Sequence, residues 1–170
     1  PHGINVDFID LRWGVNTQQV PEAERENHVL RECLNSIQES RPFFVALLGD
    51  RYGWVPTQQS WDAIVDGMDA GERMFINGET QQARSVTELE ILFGALMDTD
   101  SLQRSFFCFR RDDVYEQMDS THRSQYCETN GVARQHLAEL KGKIADTMHT
   151  HRLDHNVMSY GCGWDGQRLT

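Results

Sequence analysis

The sequence predicts an α/β fold: a parallel sheet with helices on both faces. Three observations carry this. Short β-branched or apolar runs alternate along the chain with amphipathic helical patterns, which is the signature of β-α-β units. The run Phe43-Phe44-Val45-Ala46-Leu47-Leu48 is apolar at every position, as in a strand covered on both sides. Polar clusters follow the predicted strands, and in parallel sheets ligands gather at the strands' carboxyl ends.

Taken in order, residues 4–11 alternate Ile4, Val6 and Phe8 with polar residues and predict a strand, ended by Arg12-Trp13-Gly14. Residues 22–40 predict a helix, because Val29, Leu30, Cys33, Leu34 and Ile37 fall on one face. Residues 43–48 predict the next strand, left through Gly49-Asp50-Arg51-Tyr52-Gly53-Trp54-Val55-Pro56. Gly53 suits a turn needing positive φ. Residues 57–84 are polar and glycine-bearing, and read as a long loop insertion with one short helix over 61–65. Ser85-Val86-Thr87-Glu88 matches a capping box and opens a helix to about residue 98. Residues 105–109 and 156–160 predict two more strands. Between them 132–148 is helical, with Ala133, Leu137, Leu140, Ile144 and Met148 on one face. The whole chain, 1–170, reads as one domain.

Composition narrows the function. The 170 residues carry 26 acidic and 16 basic side chains, a net charge of −10. No basic stripe exists to neutralise phosphates, so nucleic acid is not an expected partner. No apolar run approaches the ~20 residues of a membrane span, and no basic head with an apolar stretch opens the chain. A cytoplasmic location with no membrane partner is the expectation. Cys33, Cys108, Cys127 and Cys162 are widely spaced and read as reduced thiols. His149-x-His151-x-x-x-His155 follows a helix end and lacks a fourth ligand, so no metal is expected there. No G-x-x-x-x-G-K-[ST] loop is present.

Five blocks in order carry a family resemblance. They are Asp10-Leu11-Arg12-Trp13-Gly14-Val15, the stretch from Phe44 through Gly49-Asp50-Arg51-Tyr52-Gly53-Trp54 to Pro56, and Ser85-Val86-Thr87-Glu88-Leu89-Glu90-Ile91. Phe106-Phe107-Cys108-Phe109-Arg110 and Tyr160-Gly161-Cys162-Gly163-Trp164 follow. Together the sequence resembles the TIR-like domain of unknown function found before NACHT-type STAND ATPase modules, and the resemblance implies a TIR-like or flavodoxin-like form of the parallel sheet. That domain is known from the telomerase-associated vault protein and from nephrocystin-3-like, NACHT–WD-repeat and bacterial STAND proteins. The family begins with a strand ending in a Ser/Thr-rich turn, whereas this chain starts at what resembles the second strand. The resemblance therefore implies that the first strand is missing here and comes from a longer polypeptide or another chain.

The resemblance implies an effector or adaptor module that acts in signalling or antiviral defence when its parent protein self-associates. The alternative it implies is an enzyme that cleaves NAD or processes another nucleotide. TIR proteins that cleave NAD carry a catalytic Glu on the helix after the third strand, five residues beyond a Ser, and Ser85 to Glu90 has that spacing. Such a carboxylate would stabilise oxocarbenium-like charge as nicotinamide leaves. Glu90 and Glu88 are thus the catalytic candidates, with NAD as a substrate and no resident cofactor. Glu88 also fits a capping role, and Glu90 a favourable charge near the helix start. Arg12, Trp13, Arg51, Tyr52 and Arg110 are the candidates for binding a nucleotide, since guanidinium grips phosphate and aromatics stack on bases. Internal ion pairs of Arg12 or Arg51 with Asp10 or Asp50, and simple packing of the aromatics, are the competing roles.

Overall fold

A computed structural model describes residues 20–41 and 43–170. The predicted strand over 4–11 and the candidates Arg12 and Trp13 lie outside the described residues. The element order is α1 (Arg25–Ser40), β1 (Phe44–Leu48), α2 (Gln58–Gly67), α3 (Ala70–Glu79), α4 (Val86–Ile91), α5 (Thr99–Gln103), β2 (Ser105–Arg110), α6 (Ser120–Tyr126), α7 (Gly131–Thr150) and β3 (Val157–Tyr160). The strands form one parallel sheet in the order β1-β2-β3. Phe44 stands opposite Ser105 and Leu48 opposite Phe109, while Phe107 stands opposite Val157.

Alternation along the strands separates two faces. Ala46, Leu48 and Phe107 turn inward onto Ile91, Ala95, Leu102, Leu140, Ile144 and Met148, contributed by α4 and its continuation, α5 and α7. Ile144 and Met148 are wholly buried, and burying a side chain of this size contributes roughly 1.5–3 kcal/mol. On the opposite face Val45 is 65% exposed and Leu47 71%, with Phe106 and Met158 exposed beside them. Helices on both faces are the sequence expectation; among the described residues they cover one face.

A second cluster lies beside the sheet. Leu30 and Leu34 of α1 pack on Trp61, Ile64 and Val65 of α2, on Ile76 of α3, and on Leu89, Leu92 and Phe93. This corrects the expectation for 57–84, which forms a helical hairpin and not a long loop. Trp61, Ile64, Val65 and Met68 repeat at helical spacing and are buried. Thr57 caps α2 through the Ser60 amide at 3.2 Å, and Asp69 with Glu72 forms a full capping box on α3. The polar residues that suggest a loop are the solvent faces and caps of these two helices.

The helix beginning at Val86 continues past Ile91 as a π-helical turn, Leu92–Leu96. Gly94 sits within it. A Cβ there would stand 2.8 Å from the Phe44 ring and 3.0 Å from the Ile37 methyl, so β1, α1 and this turn approach through a bare backbone.

Candidate functional site and relatives

Two polar networks are built where the chain leaves β1 and β2. The first joins the loop after β1 to the start of α4. Ser85 caps α4 by accepting the Glu88 amide at 3.2 Å. The reciprocal bond of a capping box is replaced: the Ser85 amide donates to the Tyr52 hydroxyl at 3.3 Å, and that hydroxyl donates to the Glu88 carboxylate. A phenol is thus inserted into the capping box. Tyr52 is 1% exposed, with its ring 5.4 Å from that of His136 on α7. Burial and the Glu88 carboxylate push its hydroxyl pKa up to about 12. Burial also raises the Glu88 pKa, against the hydrogen bond from Tyr52 and the charges of Arg84 and His136. The loop reaches this position through Gly53, whose φ is +95°, and its Trp54 carbonyl accepts the Val86 amide at 2.9 Å.

The second network centres on Asp50. Its carboxylate accepts from Lys141 Nζ of α7 at 2.8 Å and from the Tyr115 hydroxyl at 2.5 Å, and Arg110 Nε lies 3.8 Å away. Arg110 Nε donates to the Tyr115 hydroxyl at 2.9 Å, and its cation lies over the Tyr115 ring at 5.4 Å. A Cβ on Gly49 would stand 2.5 Å from Arg110 Nη2, so the strand backbone makes room for the guanidinium. Burial, then the hydrogen bond to Asp50, raises the Tyr115 pKa. Glu128 closes the rim. It accepts the amides of Thr129, Asn130 and Tyr52, and the Asn130 amide contributes most to a lowered pKa.

Glu90 stands apart from both networks. It faces α1, where the Cys33 thiol lies beside its carboxylate, and both groups line a cavity of about 230 Å³ bounded by Val45 and Gly94. Burial raises the Glu90 pKa; burial, then the Glu90 charge, pushes the Cys33 thiol up to about 11.

The structure therefore divides the predicted site. Tyr52 meets Glu88, and Arg110 meets Asp50, while Glu90 belongs with Cys33. Tyr52 has no exposed ring face to offer a base. Arg51 is exposed and donates from Nη1 to the Gln125 carbonyl at 3.1 Å; the ion-pair partners of Asp50 are Arg110 and Lys141. Sequence reasoning misses Lys141, Tyr115, Glu128 and His136. The one available signal is Lys141 itself, a cation one residue beyond Leu140 on the apolar stripe of α7.

No family model matches the chain, and no solved structure matches it. The chain is similar to telomerase protein component 1 of Mus musculus, at 26% identity over 168 residues, 98% of this chain and 6% of that protein. A TPR repeat-containing protein of Dictyostelium discoideum is 25% identical over 146 residues, 83% of this chain and 8% of that protein. NACHT domain- and WD repeat-containing protein 1 of Mus musculus is 32% identical over 74 residues, 37% of this chain and 4% of that protein. The similarity links the chain to NACHT-containing proteins. The chain spans less than a tenth of the length of these relatives. Among the described residues no helix is long and apolar enough to cross a membrane.

Proposed function

We propose that this chain is a TIR-like effector or adaptor module associated with a NACHT-type STAND ATPase, acting in signalling or defence when its parent protein oligomerises. The observation that carries the reading is how the rim spends its charges. Glu88 is held by Tyr52, and Asp50 by Lys141, Tyr115 and Arg110. Groups satisfied in this way make a fixed platform and leave little for chemistry. The similarity to NACHT-containing proteins supports the association.

A second reading rests on Glu90, a carboxyl with a raised pKa beside a cavity. Perturbed carboxyls in clefts are candidates for function. In that reading the module cleaves NAD or processes another nucleotide through Glu90. The two readings separate by experiment. The full-length, oligomerised protein is incubated with NAD, and nicotinamide release is compared among wild type, Glu90→Gln and Glu88→Gln. An adaptor gives no release in any assembly state. Release by wild type, abolished in a folded Glu90→Gln variant, overturns the pure adaptor reading.

A further inference from the structure

We infer that the cavity at the carboxyl end of β1, between the turn after β2 and the start of α7, binds the phosphate of a small ligand through Arg123 and Arg134. The cavity measures about 390 Å³, within the usual range for small-molecule sites, and lies at the sheet end where α/β folds collect ligands.

The charges of its lining are not equally available. Asp50 is matched by Lys141 and Tyr115, and Glu128 accepts three backbone amides. The two guanidiniums differ. Arg134 donates from Nη2 to the Glu128 carbonyl at 3.0 Å, which fixes the side chain and leaves its other N–H groups for a ligand. Arg123 has no side-chain partner among the described residues, and both arginines are exposed. Arg134 also stands in the first turn of the 20-residue α7, where the helix dipole favours negative charge. Asp112, Glu128 and Asp50 equal Arg123, Arg134 and Lys141 in number around the cavity, and it is the two arginines whose donors are left free. Two planar, multidentate cations with spare donors match a phosphate better than a carboxylate, which presents fewer acceptor oxygens. Leu137 and Ala138 supply an apolar wall on which the uncharged part of a phosphorylated ligand can rest. The chain's overall charge of −10 does not oppose this, since charges beyond ~10 Å are screened at 0.1 M salt.

Binding here requires neither turnover nor assembly, so it stands or falls separately from the function proposed above. Cys127 lines the same cavity and gives a local readout. The full-length protein is treated with iodoacetamide, and alkylation of Cys127 is followed by peptide mass spectrometry with Cys162 as internal reference. Inorganic pyrophosphate, ADP and adenosine are compared as protecting probes. Pyrophosphate or ADP is expected to slow Cys127 alkylation about fivefold or more without changing Cys162, and adenosine to have no effect. A lower half-protecting concentration for ADP marks a nucleotide as the source of the phosphate; equal values mark an inorganic one. Protection disappears in Arg123→Gln/Arg134→Gln, whose exposed positions leave the circular dichroism spectrum unchanged. No protection by either phosphate at 10 millimolar order (~10 mM, far weaker than a specific site), equal protection by adenosine, or protection that persists in the double variant overturns the assignment.

Discussion

The hydroxyl of Tyr52 donates to the carboxylate of Glu88 and so completes, through a side chain 36 residues away, a helix cap that Ser85 begins. Local capping is thereby made dependent on tertiary structure. Tyr52→Phe leaves the Glu88 carboxyl and the Ser85 amide without this partner. An unsatisfied buried polar group costs roughly 1–3 kcal/mol. The midpoint of urea unfolding should fall accordingly with its slope unchanged, and an unaltered midpoint would show the bridge to be energetically empty.

Glu90 has a definite pH signature. Its folded pKa is raised, so the folded state holds a proton more tightly than the unfolded chain does. Stability from this group is therefore fullest below the ordinary carboxylate pKa and is lost as pH rises through the folded value. Glu90→Gln removes the titration. Unfolding free energies measured from pH 4 to pH 8 should show the variant gaining on wild type as pH rises. A constant difference between them contradicts this.

Gly94→Ala sets two effects against each other. Alanine favours helix by about 1 kcal/mol over glycine. The added methyl, however, meets the Phe44 ring at 2.8 Å and Ile37 at 3.0 Å, and overpacking costs typically 1–3 kcal/mol. A net loss of stability is expected, relieved in part by Phe44→Leu, as thermal unfolding of the single and double variants would reveal.

Cys33 should be unreactive. A thiol pKa of about 11 leaves on the order of one part in a thousand as thiolate at pH 8, and the thiolate is the nucleophile. Alkylation at pH 8 should reach Cys127 and Cys162 long before Cys33. Equal rates would place Cys33 in a different environment.

The elements with strong periodicity were the legible ones. α1, β1, β2, α7 and β3 fall where hydrophobic spacing predicts them, because burial of one face decides both the pattern and the element. The α2–α3 hairpin was obscured because its buried stripe is narrow and its caps, Thr57 and Asp69, read as loop residues. The candidate site was legible only in parts. Asp50, Tyr52, Glu88 and Arg110 each stand out from their positions after strands or at a helix start. Which of them touch is a matter of tertiary packing, in which α7 adds Lys141 to Asp50, some ninety residues away, and His136 to Tyr52. Sequence spacing pairs Glu88 with Glu90, while the helix turns them toward different neighbours.

Asp50 accepts bonds from residues 65 and 91 positions further along the chain. Contacts that close loops of this length carry a large entropic cost until neighbouring segments are in place, and so belong late on the folding path. Asp50→Asn should therefore leave the refolding rate nearly untouched and shorten the lifetime of the native state. The Asp50 carboxylate acts as a latch on a finished structure, setting how long it persists more than how quickly it forms.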